Sequence, residues 1–279
     1  MSKARRASRK RLTPLAKIAD RHRLYELSVQ NAAAEASFID RAFQRLRGRR
    51  AEVLREDFCG TAAVCCEWVR GRATRQAIGV DLDAEVLAWG REHNVGRLSP
   101  SQVGRVTLLQ DDVMRVPAPV ADVVVAMNFS YWTFKDRATL RRYFERARGG
   151  LAADGVLFLD AFGGYEAFKE LEEEQEIDEA GWCFTYIWQH ALFEPVSNRL
   201  VCHIHFAFPD GSRIQRAFSY DWRLWTLPEI RELLEEAGFR NVTVYWQGYD
   251  ADGDPNGRFR PVTSGEADAG WIAYLSAEK

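Results

Sequence analysis

The sequence predicts an α/β fold: a doubly wound, mostly parallel seven-stranded sheet with an N-terminal helical segment and a small antiparallel β insertion. Three observations carry that expectation. Short apolar runs alternate with amphipathic segments from Val53 to Phe162, aromatic and β-branched runs then replace that alternation, and a late helix with two further strands closes the chain. The 279 residues, 47% apolar and 28% charged, suffice for one large domain carrying an insertion.

Residues 1–13, MSKARRASRKRLT, are basic and nearly free of large apolar groups, so burial cannot offset the entropy of ordering them; a disordered tail is expected before a domain at 14–279. Within 14–48, Leu15, Ile18, Tyr25 and Leu27, then Ala33, Phe38, Ile39, Phe43 and Leu46, recur at helical spacing and predict two helices, with Gly48 as the stop. AEVLRED, QAIGVDLD, RVTLLQDD, ADVVVAMN and GVLFLDAF read as five strands. TAAVCCEWVRG, AEVLAWGREHN and RATLRRYFERARGGL read as the helices between them. Strands and helices in this order form a parallel sheet covered on both faces, with right-handed crossovers.

Residues 166–225 form the expected insertion. It opens with an acidic helix over EAFKELEEEQEIDEA and continues as three β segments, CFTYIWQHALFE, RLVCHIHFAFPDG and SRIQRAFSYDWRL, forming a lid or acceptor site. Asp210-Gly211 marks a hairpin turn. LPEIRELLEEAGF predicts a helix capped by Gly238, NVTVYW a strand, and WIAYLSA the last strand. The run from Asp250 to Gly257 partly mimics a calcium loop, but its twelfth position is Pro261 rather than Glu, so it reads as a hairpin loop.

A net charge of −2 argues against a protein built to coat nucleic acid. The charge is uneven: residues 1–23 hold nine Lys or Arg and a single acid, Asp20, a net of about +8 against about −10 over the rest. Five cysteines (Cys59, Cys65, Cys66, Cys183, Cys202) without a CxxC pair support neither a disulfide framework nor a zinc site, so a reducing cytoplasm is expected. No apolar run approaches the roughly 20 residues that span a bilayer, and no membrane partner is expected.

In an open parallel sheet, ligands bind beyond the carboxyl ends of the strands. Three strand ends carry acids here: Glu56 and Asp57, Asp81 and Asp83, Asp111 and Asp112. Gly60, in EDFCGTA after the first strand, allows close approach of backbone to ligand, and the following helix presents positive amides. Asp81, 21 residues after Gly60, suits a pair of ribose hydroxyls; Asp83 is the better candidate for capping the next helix. Asp112 reads either as an acceptor for an adenine amine or as a solvated turn acid.

LREDFCGTA, GVDLD, LLQDDV, ADVVVAMNFSYW and LPEIRELLEEAGF, in that order over residues 20 to 279, resemble the motifs of class I S-adenosylmethionine-dependent methyltransferases. The resemblance implies a Rossmann-like methyltransferase fold, S-adenosyl-L-methionine as cofactor and a small-molecule acceptor roofed by the β insertion. By motif position it assigns Glu56, Cys59, Gly60 and Ala62 to the methionine end, Asp81 and Leu82 to the ribose, and Asp112 with Val113 to adenine. Asn128 falls between cofactor and acceptor, and Tyr25 folds over the cofactor from the N-terminal helices or packs within them. The loop departs from the family's three-glycine pattern: Phe58 and Ala62 stand where glycines are usual, which keeps a non-catalytic cofactor-binding adaptor open.

Methyl transfer is an in-line displacement that needs chiefly alignment and, for an ammonium or hydroxyl acceptor, a proton acceptor. The catalytic candidates are Asn128, Tyr131 and His203. His190 and His205 are further strand histidines, and Tyr131 and Trp132 read equally as site wall or core. His203 and His205 share a strand face without a third ligand, so no metal is expected. The alternatives are a nucleic-acid or protein methyltransferase using the basic tail, which is not favoured, and a nicotinamide enzyme, disfavoured by the missing glycines.

Overall fold

The alternation that begins at Val53 is realised as an eight-stranded sheet in a computed structural model that describes residues 13–117, 119–250 and 255–279. Apart from Thr13, the expected tail lies outside the described residues. Three helices come first, α1 (Leu15–Ile18), α2 (Arg21–Ser28) and α3 (Ala32–Arg47), one more than the spacing predicts. The break after Ile18 arises because Asp20 caps α2, accepting from the backbone N–H groups of His22 and Arg23.

The sheet proper starts with β1 (Val53–Asp57), followed by α4 (Ala63–Gly71), β2 (Gln76–Asp81) and α5 (Ala84–His93). After the short α6 (Pro100–Val103) come β3 (Val106–Gln110), β4 (Ala121–Ala126), α7 (Arg137–Gly149) and β5 (Leu151–Gly163). These five strands run parallel in the order β3-β2-β1-β4-β5. Strand order therefore reverses between β1 and β4, the place where open sheets of this kind bind ligands. β4 shows why the pattern reads as continuous apolar residues: Val123 and Val125 enter the core beneath α3 and α4, whereas Val124 and Ala126 enter the core beneath α7.

A second sheet follows, antiparallel and four-stranded: β6 (Leu171–Glu179), β7 (Trp182–Glu194), β8 (Arg199–Ala207) and β9 (Arg213–Arg223). β6 corrects the acidic helix expected over this stretch. Its apolar residues, Leu171 and Ile177, share one face of a strand, and a helix here would stack glutamates three and four apart. All nine of its residues pair with β7, and its charges suit an exposed sheet edge. α8 (Leu227–Glu236) begins with the Thr226 and Glu229 capping box and packs beside α7.

β10 (Arg240–Tyr249), β11 (Pro255–Val262) and β12 (Trp271–Glu278) extend the main sheet antiparallel beyond β5. β11 makes eight strands where seven are expected; its alternation was masked by Pro261, which an edge strand tolerates. α1 and α2 lie against the four-stranded sheet, with Leu24 fully buried among Ile177, Phe184, Ile204 and Phe206. α3 instead lies on the main sheet, where the Phe38 ring contacts Phe158, Tyr245 and Tyr274. No helix among the described residues is long and apolar enough to cross a membrane.

Candidate active site

Between β1 and α4 the chain makes a tight loop in which Phe58, Gly60 and Ala62 all have left-handed φ near +51° to +59°. That conformation is strained for Phe and Ala, and packing holds it. The Phe58 ring lies 5.9 Å from Phe134 and 5.7 Å from Tyr143, turned toward α7. Gly60 faces open space: a Cβ there would meet nothing within 4 Å. Its N–H donates to Asp81 Oδ2 at 2.8 Å, and the Asp83 N–H donates to Asp81 Oδ1 at 2.9 Å. Asp81 is thereby fixed at the rim of the loop, with acceptor capacity left on both oxygens. Asp83 caps α5 as expected, and Leu82 beside it is 67% exposed.

The two acids ending β1 divide their work. Asp57 is neutralised within the core by Arg55, 2.8 Å away, and accepts the Tyr143 hydroxyl at 3.0 Å. Glu56 is buried without such a cation; its Oε2 accepts the Cys65 N–H at 3.0 Å, and burial pushes its carboxyl up to about 8. Cys59 is buried beneath the loop, so close under β2 that a Cβ on Gly79 would come within 2.8 Å of its Sγ. Ala62 is also buried and leads into α4. Asp112 follows β3, where its Oδ1 accepts the Met114 N–H and Arg115 lies 3.5 Å away, while Val113 packs into the core. The three acidic strand ends thus lie side by side along β1, β2 and β3.

Above the β4 and β5 ends, Asp160 holds a second strained turn. Its two oxygens accept the N–H groups of Asn128 (2.7 Å) and Phe129 (2.9 Å), both with left-handed φ. Burial pushes the Asp160 carboxyl up to about 8. An acid inside the apolar run VLFLDAF is the sequence signal for this residue, which lies within its strand rather than at the tip.

A cavity of about 510 Å³ opens between that turn and the four-stranded sheet. Tyr25 of α2, Val29 just after it, Asn128, Phe129 and Phe162 line one side, and Tyr186, Trp188, His190, Tyr220 and Trp222 the other. Glu166 and Glu173 also reach it. Of the residues expected to hold cofactor, Tyr25 and Asn128 line this cavity; Gly60, Asp81 and Leu82 form the rim beyond β1 and β2, Asp112 follows β3, and Glu56, Cys59, Ala62 and Val113 are buried beneath. Tyr25 packs with Tyr220 against the core of the four-stranded sheet, and burial raises its phenol well above the ordinary value. α2 also reaches the loop, because Glu26 accepts from Thr61 Oγ1 (2.8 Å) and Asn94 Nδ2 (2.6 Å).

Two catalytic candidates fall away from the cavity. Tyr131 is fully buried and donates its hydroxyl to the Asp160 carbonyl at 2.8 Å; it is a core residue, as is Trp132, packed against Phe162 and Trp222. His203 alternates along β8 with Cys202 and Ile204, so it points to the opposite face, where Nδ1 meets Ser219 Oγ at 2.8 Å. His205 shares that face and is engaged by Gln189 and the Arg216 N–H. His190, on the cavity-facing side of β7, is the histidine that lines it. Burial lowers its pKa, leaving the ring neutral at pH 7.

No family model matches the chain, and no curated protein matches it. Solved structures do. The S-adenosylmethionine-bound amino pentose methyltransferase CalS10 from Micromonospora echinaspora superposes with a TM-score of 0.67 at 15% identity, over 92% of this chain and 95% of that one. The sugar N-methyltransferase KedS8 from a Streptoalloteichus species gives 0.63 at 18% identity, over 100% and 98%. The glycopeptide N-methyltransferase MtfA, complexed with S-adenosylmethionine, gives 0.54 at 18% identity, over 90% and 95%. The chain therefore has the Rossmann-like fold of these methyltransferases, with the antiparallel sheet appended.

Proposed function

We propose that the protein is an S-adenosylmethionine-dependent methyltransferase that acts on a small amine. The observation that carries this reading is the pairing of a polar rim at Gly60 and Asp81 with an aromatic cavity lined by Asn128 and Tyr25, the two linked by α2, which lends Tyr25 to the cavity and Glu26 to the loop at Thr61. The residues present fit the cofactor. Open space at Gly60 admits close backbone approach, and Asp81, with exposed Leu82 beside it, offers both oxygens to a ribose. When bound, the cofactor supplies an electrophilic sulfonium methyl.

The chain's own contribution is to position the acceptor. Trp188, Tyr220 and Trp222 give the cavity aromatic walls that favour a cation, and Glu166 and Glu173 add negative charge. An ammonium must lose a proton before its nitrogen can attack. His190, the histidine that lines the cavity, is the residue we assign to take it. The four-stranded sheet and α2 exclude water from the reacting groups. The five free cysteines are consistent with the cytoplasm as the working compartment.

Labelled-methyl transfer from the cofactor to a panel of amino sugars and other small amines tests the reading. Incorporation that disappears in Trp222→Ala, with cofactor binding retained, is the expected result. Transfer to RNA or protein that ceases on removal of residues 1–13 would instead favour the basic-tail alternative.

A further inference from the structure

The acids of β6 alternate with the strand, and one of them faces inward. Glu172, Glu174, Glu176 and Asp178 share one face, where Gln189 and Thr185 engage Glu172 and Glu176. Leu171, Glu173, Gln175 and Ile177 share the other and pair with His190, Trp188, Tyr186 and Phe184 of β7, the side that carries the cavity wall and the core beneath α2. An apolar residue is the expected occupant of that face. Glu173 nevertheless lies across from Trp188, lines the cavity, and has no hydrogen-bond or ion-pair partner among the described residues.

The other charged side chain of the lining, among the described residues, has the same sign: it is Glu166. Lys169 reaches Glu166 from outside the lining, at 3.3 Å between exposed side chains, and leaves Glu173 untouched. α2 turns its C-terminal end to the cavity, with Tyr25 and Ser28 in the wall and no basic residue in its last turn, so the helix adds the partial negative charge of its carbonyls. Trp188, Tyr220 and Trp222 add π systems that favour a cation. Acids, helix end and aromatic rings act together: all attract an ammonium and all repel a phosphate, which is held by arginine, lysine or a helix N-terminus.

Resting on the methyltransferase reading, we propose that the acceptor is an apolar amine free of phosphate, with its ammonium held at Glu173 and Trp188 and its aryl or alicyclic body filling the cavity of about 510 Å³. His190 is the next inward residue of β7 after Trp188, so an ammonium seated there lies beside the group assigned to deprotonate it. The same field rejects an amine that is still attached to a nucleoside diphosphate. A phosphate-bearing carrier, where the amine is built on one, is therefore removed before methylation.

The test is calorimetry with three ligands that share one body and differ in charge: biphenylmethylamine, biphenylmethanol and biphenylmethyl phosphate. UDP-glucosamine is the fourth, an amine on a nucleotide carrier. Each is titrated into the free protein and into the protein with S-adenosylhomocysteine. The expected order of affinity is amine, alcohol, phosphate, with about tenfold or more between first and last, and no measurable heat from UDP-glucosamine. Glu173→Gln should narrow the amine-to-alcohol ratio by about threefold, the scale of an exposed charge pair, and leave the alcohol within about twofold of wild type. An unchanged ratio, or equal losses for amine and alcohol, overturns the assignment of Glu173. Phosphate or UDP-glucosamine binding as tightly as the amine overturns the proposal, as does a protein that binds none of the four. A protein that shows the expected charge order but no heat with S-adenosylhomocysteine overturns the methyltransferase reading and leaves the charge preference of the cavity standing.

Discussion

The polar rim and the aromatic cavity are built in opposite ways. The rim is local: Asp81 ends a strand, and Gly60 and Asp112 follow strands, of one continuous βαβ run, held by hydrogen bonds with backbone N–H groups. The cavity is assembled from α2, the ends of β4 and β5, and the second sheet, which are distant in sequence and brought together by packing. The difference teaches that a recess made of turns is set by a few residues, whereas one made of walls depends on every element that docks. Substitutions should therefore separate the two recesses.

The largest effect should come from the wall. Leu24→Ala removes the buried residue by which α2 packs on the four-stranded sheet, and should cost about 2–5 kcal/mol of stability. Chemical denaturation measures it; a loss under about 1 kcal/mol would show that the second sheet does not depend on α2. At the rim, Asp81→Ala should weaken S-adenosylhomocysteine binding by about 1–3 kcal/mol with little change in fold, since the lost contacts are polar and partly exposed. Unchanged affinity would remove Asp81 from the site.

Stability of the free protein against pH sharpens the contrast further. Glu35 on the buried face of α3, Glu56 and Asp160 keep their protons in the folded state to about 7, 8 and 8, whereas in the unfolded chain they lose them near the ordinary carboxylate value. Between those limits the folded state binds more protons, so stability falls as pH rises from about 5 toward 8, at up to about 1.4 kcal/mol per pH unit for one such group. Melting temperatures at pH 5.5 and 8 test the sign; a rise over that interval contradicts the uncompensated carboxylates. The smallest effect should be at the joint between the recesses. Thr61→Val breaks the hydrogen bond from the loop to Glu26 of α2 and should cost about 1 kcal/mol of stability.

The same contrast explains what could be read in the sequence. The parallel strands, the rim acids and the Asp83 cap were legible because each follows from a short run of residues. Phe58 could be recognised as a departure, but its direction was set by Phe134 and Tyr143, about 80 residues away. Tyr131 and His203 were legible as residue types with the right chemistry; which way they point depends on register and docking. The strand at Leu171–Glu179 was hidden because its pairing with β7 outweighs the helical preference of its glutamates. Asp160 had a local signal, an acid within an apolar pattern, whose meaning became clear only when the ends of β4 and β5 were placed side by side.

The central claim is that the Gly60–Asp81 rim accepts the nucleoside of S-adenosylmethionine. Calorimetric titration of the protein with S-adenosylhomocysteine, NAD and NADP tests it most directly. Micromolar binding of the first and no heat from the other two is the predicted result; a flat trace with S-adenosylhomocysteine, or binding of NAD in its place, would contradict it.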